Sequence, residues 1–211
     1  MAKDNRMVVI GLTGSLAMGK STVAKFFAEA GVPVHDADLA VHQLYAGEAA
    51  PQIEAVFPGT TDSQGVNRDA LAERVLGDDA ALRRLEAIVH PMVRRREEQF
   101  LEAAERSGTG VAMLDIPLLF ETGSDTRVDA VVVVTAPAEM QRERALGRSG
   151  MTEEKFQALL AKQMPDAEKR KRADFIVDTS GSFDSTRAQV RAILRTAPRS
   201  AIRRGRSPSP D

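Results

Sequence analysis

The chain has 211 residues, 43% hydrophobic and 28% charged, with a formal net charge of −1; it can bury the core of one domain, and it has no global pull toward nucleic acid or an anionic membrane. It contains no cysteine, which excludes a disulfide scaffold, a thiolate metal site and a cysteine nucleophile, and His35, His42 and His90 lack zinc-like spacing. The apolar runs are far shorter than the roughly 20 residues of a membrane span, MAKDNR leads into too short a stretch for a signal peptide, and 4% aromatics without Trp disfavour base stacking on single strands. A monomeric, cytoplasmic α/β protein is the expectation.

In chain order, Met7–Leu12 reads as the first strand and Ser21 to Ala30 as a helix. Val32-Pro33-Val34-His35 is a short second strand candidate. An insertion from Ala37 to Gly108 reads almost entirely as helix, with Asn67 and Asp79 as N-caps and Pro91 as a first helical residue. Gly108-Thr109-Gly110 closes it. Val111–Leu114 and Ala130–Thr135 are the next strands. Residues 136–172 form a second helical stretch with a surplus of positive charge, and Phe175–Val177 is the last strand. The strands are rich in β-branched residues and lack polar alternation, the pattern of strands buried on both faces. Repeated βα units of this kind predict an α/β fold, a mostly parallel five-stranded sheet flanked by helices. Residues 1–198 then form one domain, with its core near 6–36, 109–135 and 173–195, a helical acceptor-binding insert at 37–108 and a lid at 136–172. The Arg/Ser/Pro-rich stretch 199–211 has little to bury and is expected to be disordered.

The first strand runs into Gly14-Ser15-Leu16-Ala17-Met18-Gly19-Lys20-Ser21-Thr22, which matches G-x-x-x-x-G-K-S/T between a strand and a helix. Glycines at both ends let successive N–H groups converge on phosphate oxygens. The helix that follows points its positive end at the same anion. Lys20 is placed for the outer phosphates and the Ser21 hydroxyl for Mg²⁺. This is the phosphate loop of the P-loop NTPase fold, and it predicts ATP and Mg²⁺ as ligands.

No N-K-x-D guanine reader is present, and small size with two helical inserts suits a kinase, whose lid must exclude water as a competing nucleophile. Asp36-Ala37-Asp38 follows the second strand, where ligands collect in an open α/β sheet. Two carboxylates there favour a hydroxyl acceptor over an anionic one, and one of them can take its proton. Either aspartate can instead cap the next helix. Asp115 ends the third strand, where a carboxylate supports Mg²⁺ through water. Asp36, Asp115, or Ser21 with water alone are all open as the metal's support.

Taken together these segments resemble the dephospho-coenzyme A kinase family over about Met7 to Leu194. The resemblance rests on Gly11-Leu12-Thr13-Gly14 with Gly19-Lys20-Ser21-Thr22, on Gly31 to Asp38, and on Val89-His90-Pro91. It continues through Asp115-Ile116-Pro117-Leu118-Leu119-Phe120-Glu121, Gln141 to Arg148, and Ala173-Asp174-Phe175-Ile176-Val177. It implies transfer of phosphate from ATP to the ribose 3′-hydroxyl of 3′-dephospho-CoA, the last step of coenzyme A synthesis, with these small molecules as the partners. It implies Asp38 as base and orienter of the hydroxyl, with Lys20 and Arg144 acting on the triphosphate. Gly14, Ser15, Ala17, Met18, Gly19, Lys20, Ser21 and Thr22, with Arg144 and Arg148, would hold ATP. Arg144 and Arg148, four apart, would share one helix face. His90 and Arg94 or Arg95 would meet the nucleotide end of the acceptor, with Leu118 and Glu121 as further contacts. Duller alternatives are a capping His90, a solvated Arg94–Arg96 face, a structural Glu121 and lid arginines paired with lid carboxylates.

The sequence departs from the family pattern at two places. Ser15 and Ala17 stand where glycine is frequent, and Ala17 reaches positive φ less cheaply than glycine. Asp178-Thr179-Ser180-Gly181 stands where an asparagine often lies beside the adenine, so base recognition there would fall to backbone groups.

Overall fold

A computed structural model describes residues 6–200, with side chains described through residue 197. The first elements are β1 (Val8–Gly14), α1 (Lys20–Glu29) and β2 (Val34–Asp36). Then come α2 (Ala37–Tyr45), α3 (Ala50–Val56), β3 (Thr61–Asp62), β4 (Gly65–Val66), α4 (Arg68–Val75) and α5 (Asp79–Arg106). The chain continues through β5 (Val111–Asp115), β6 (Ala130–Thr135), α6 (Ala138–Leu146), α7 (Glu153–Leu160), α8 (Asp166–Arg172), β7 (Phe175–Asp178) and α9 (Phe183–Ser200). Two compact units result. The second is His35–Ala103, and the first is made by the described residues on either side of it.

The chain forms a five-stranded sheet in the order β2-β5-β1-β6-β7, whose strands β5, β1, β6 and β7 form the centre of the first unit. β1 pairs in parallel with both β5 and β6, and β6 with β7. All seven residues of β1 are buried, as are the first five of β6, which is why these runs lack polar alternation. Ile10, Leu12, Val132 and Val134 pack with Phe27 of α1 and with Val190 and Ile193 of α9. This is the parallel α/β architecture that the βα rhythm predicts. The order puts β1 between β5 and β6, so the loop after β1 lies beside the ends of both neighbours.

Boundaries move by a few residues. β1 extends past Leu12 to Gly14, and the second strand lies at Val34–Asp36 rather than Val32–His35. α9 continues through Ser200, so the expected disordered tail at 199–211 begins inside a helix; residues 201–211 lie outside the described residues.

The second unit departs most from expectation. It has its own core, in which Leu44, Ile53, Phe57 and Leu71 meet Ala81, Leu85, Val89 and Met92 of α5. It is not wholly helical, because β3 and β4 pair as a small antiparallel hairpin. Gly65 sits there at φ +113°, where an added Cβ would stand 2.3 Å from the Tyr45 carbonyl oxygen. Only glycine fits. Asn67 caps α4 as expected, accepting from the Ala70 N–H. Asp79, however, is the first residue of α5, and the capping carboxylate is that of Asp78, which accepts from Ala80 and Ala81. Pro91 does not open a helix. It lies inside the 28-residue α5, so His90 cannot be a cap. Proline in a helix interior costs about 3 kcal/mol, but Leu85, Val89 and Met92 occupy one buried stripe on either side of it. Burying each large apolar side chain contributes roughly 1.5–3 kcal/mol, which offsets the interruption.

Candidate active site

The loop between β1 and α1 is shaped by three backbone requirements. A Cβ on Gly14 would lie 2.8 Å from the Val134 carbonyl oxygen of β6, so strand and loop meet too closely for any side chain. Gly19, at φ +92°, is the residue before α1 and supplies no side-chain cap. The first N–H groups of the helix are thereby left for an anion. Ala17 adopts φ +62° without being glycine, a conformation costing about 1–2 kcal/mol for an L-residue. Its methyl is buried with Ala145 and Phe156, from α6 and α7, and that packing repays part of the strain.

Two glutamines grip the same stretch. The Leu16 N–H donates to Gln163 Oε1 at 3.0 Å, and Gln141 Nε2 donates to the Leu16 carbonyl at 2.8 Å. Met18 is buried, and its Sδ lies 3.1 Å from the Ala136 N–H. Lys20 reaches across to β5, where its Nζ meets Asp115 Oδ1 at 2.5 Å. The parallel register places Leu12 opposite Asp115, so the pairing follows from the strand order. Ser21 lies exposed in the first turn of α1.

On α6, Arg144 donates from Nη1 to Thr179 Oγ1 at 2.9 Å and from Nη2 to the Thr179 carbonyl at 2.8 Å. It is not paired with Glu143. Arg148 does not share its helix face, because α6 ends at Leu146 and Gly147 is its C-cap. Glu153 binds Arg142 instead. A cleft of about 480 Å³ opens beside the loop between Met18, Thr135, Pro137, Gln141, Asp166 and Asp178.

Leu118 is exposed. Glu121 has the structural partners that were its alternative. Its carboxylate accepts from the Met164 N–H at 2.8 Å and lies 2.9 Å from Lys169 Nζ, which is fully buried. Burial pushes the Glu121 carboxyl up, but the Lys169 ammonium and the Met164 N–H outweigh it and hold it below its ordinary range. With the folded pKa depressed, the stabilisation is present above the unfolded value, about 4.3, and is lost as pH falls through the folded value. Glu121→Gln should therefore lower stability by on the order of 3 kcal/mol at pH 7, the cost of leaving a buried charge without its counter-ion. Denaturant titrations should show that deficit shrinking below about pH 4; a deficit unchanged with pH would refute the ion-pair account.

In the second unit, Asp36 takes the capping role, accepting the Leu39 N–H at 3.0 Å. Asp38 is exposed in the first turn of α2 and is not the cap. His35 stacks on Phe100, and burial lowers its pKa despite the opposing pull of Asp36. His90, Arg94 and Arg95 are exposed along α5, and Arg96 binds Glu48 at 2.9 Å with Arg95 beside it. The partners of Gln163, Thr179 and Lys169 cannot be read from the local sequence. Each binds a partner 35 or more residues away, and no spacing rule reports such a pairing.

The chain matches the family model described as dephospho-CoA kinase over residues 8–185. It is 61% identical over 198 residues to the dephospho-CoA kinase of Rhodopseudomonas palustris strain BisB18, covering 94% of this chain and all of that one. Among solved structures, TT1252 from Thermus thermophilus superposes with a TM-score of 0.79 at 35% identity, covering 90% of this chain and 97% of that chain. The dephospho-CoA kinase from Campylobacter jejuni gives 0.68 at 25% identity with the same coverage. A match that begins in β1 and runs past the Thr179 loop takes in both the phosphate loop and the residues that grip it, and on that extent the chain belongs to the dephospho-CoA kinase family.

Proposed function

We propose that the chain transfers the γ-phosphoryl group of ATP to the ribose 3′-hydroxyl of 3′-dephospho-CoA, yielding coenzyme A and ADP. The observation that carries this reading is the loop between β1 and α1, with Lys20 beside Asp115, in a chain of this family. Backbone N–H groups of the loop and the start of α1 bind the β- and γ-phosphates. Lys20 exchanges part of its interaction with Asp115 for the outer phosphate oxygens. Arg144 faces the charge on the equatorial oxygens as the phosphoryl group passes between donor and acceptor. Arg148 is exposed and reaches the triphosphate from beyond the end of α6. The cleft beside Met18 and Thr135 seats the base.

Asp38 orients the acceptor hydroxyl and takes its proton. His90, Arg94 and Arg95 receive the nucleotide end of the acceptor, and Leu118 is a further contact for it. Glu121 anchors α8 through Lys169 rather than touching the substrate.

Mg²⁺ fits this oxygen-rich setting. Mg²⁺ takes oxygen ligands, keeps several waters and is usually bound through one or two carboxylates plus substrate phosphates, and the Ser21 hydroxyl and the Asp115 carboxylate are oxygen donors of that kind. Ser21, with Asp115 behind it, would hold the ion, and the ion would supply positive charge that offsets the negative charge of the phosphates. Residues 37–108 act as the acceptor-binding insert and 136–172 as the lid. The enzyme acts as a cytoplasmic monomer.

Coupled detection of ADP release tests the whole reading. Turnover should require both Mg²⁺ and dephospho-CoA, with little ADP from ATP alone. Equal rates with adenosine monophosphate would point to another small kinase, and no turnover with dephospho-CoA would leave a nucleotide-binding protein without transfer.

A further inference from the structure

We infer that Thr179 is a positioning residue for phosphoryl transfer, joining the phosphate loop to Arg144 through one buried hydroxyl. The inference rests on the reading of Arg144 as the side chain that meets charge on the transferring group.

Thr179 follows β7 and is almost fully buried. Its N–H donates to the Thr135 carbonyl at 3.0 Å, which ties it to the end of β6. Its Oγ1 lies 2.8 Å from the Met18 carbonyl and 3.3 Å from that of Thr135. A hydroxyl has one proton and two lone pairs. The shorter contact takes the proton, so the lone pairs face Arg144 Nη1 at 2.9 Å. The Thr179 carbonyl receives Nη2 of the same guanidinium at 2.8 Å. Two parallel bonds from one planar fork set the plane of Arg144 as well as its position. On the loop side, a Cβ at Gly19 would lie 3.1 Å from Thr179 Oγ1 and 3.3 Å from its methyl. Thr179 therefore packs directly against the residue that starts α1.

One side chain thus touches the cradle at Met18 and Gly19 and the arginine of the lid at once. A displacement of the loop by phosphates reaches the guanidinium through the Thr179 hydroxyl, which bonds both Met18 and Arg144, and a correct loop geometry holds the guanidinium ready. A neutral packing residue would need only the methyl. The hydroxyl is what couples the two.

Valine keeps the shape of threonine and removes both the donor to Met18 and the acceptor for Arg144; serine keeps the hydroxyl. T179V should lower kcat about ten- to hundredfold, the scale of losing a hydrogen bond to a charged group, while KM for ATP changes by less than about threefold. T179S should restore kcat to within about threefold of the parent. In a cycle with R144M, the loss caused by T179V should shrink to twofold or less, because the hydroxyl then has no arginine to position. Thermal unfolding of each variant establishes that it is folded, and T179A runs through the same cycle as a second variant. Equal fractional losses from T179V with and without Arg144 would overturn the coupling, as would a T179V enzyme with the parent's kcat. An R144M enzyme with unchanged kcat would instead remove the role given to Arg144, and this inference with it.

Discussion

Asp38→Asn should bind ATP within about threefold of the parent and lose roughly 10²- to 10⁴-fold in kcat, the usual contribution of a positioned base. The amide keeps the shape of the carboxylate and can still accept a hydrogen bond, but it cannot take the proton of the acceptor hydroxyl. The change is clean because Asp36, not Asp38, caps α2 through the Leu39 N–H. Losing the negative charge in the first turn costs only about 0.3–1 kcal/mol of helix-dipole interaction, so the fold should survive. ATP affinity by calorimetry and kcat by ADP release separate the two effects. A variant that keeps a third or more of the parent's kcat would show that Asp38 does not remove the proton.

Lys20→Ala should damage both binding and turnover. The ammonium sits at the mouth of the phosphate loop with Asp115 Oδ1 at 2.5 Å, and its side chain is only 18% exposed. Removing a charge-assisted bond to phosphate should weaken ATP binding about ten- to hundredfold. Losing a cation that meets charge developing on the phosphoryl oxygens should lower kcat by a further 10²-fold or more. Alanine also takes Lys20's counter-charge away from the nearly buried Asp115, so thermal unfolding of the variant is measured beside its kinetics to show that it is folded. Unchanged ATP titration and unchanged kcat would refute the assignment of this loop as the phosphate cradle.

Much of the fold was legible because its signals are local. β-branched runs without alternation mark strands buried on both faces, and β6 lies at the residues expected, Ala130–Thr135. The phosphate loop is a contiguous nine-residue pattern whose glycine at position 19 carries its own reason, a φ of +92°. Asn67 announced itself as a cap in the same way. Errors arose where a local rule had two neighbouring solutions or where packing overrode it. Asp78 and Asp79 are equivalent in sequence, and only the helix register chooses between them. Pro91 reads as a helix start until the buried stripe of Leu85, Val89 and Met92 carries α5 through it.

The sequence by itself determined the loop, the strand rhythm and the family, because each rests on short segments whose meaning is local and whose order along the chain is read directly. Tertiary structure alone decided the partners. It set Lys169 against Glu121, Gln141 and Gln163 against the Leu16 peptide, and Arg144 against Thr179. These groups lie 35 to 147 positions apart. Their meeting depends on strand order and helix packing, where each buried polar group must find a partner among those the fold brings within reach. Residue type states that a glutamine or threonine can form such bonds; only the packed chain determines with whom.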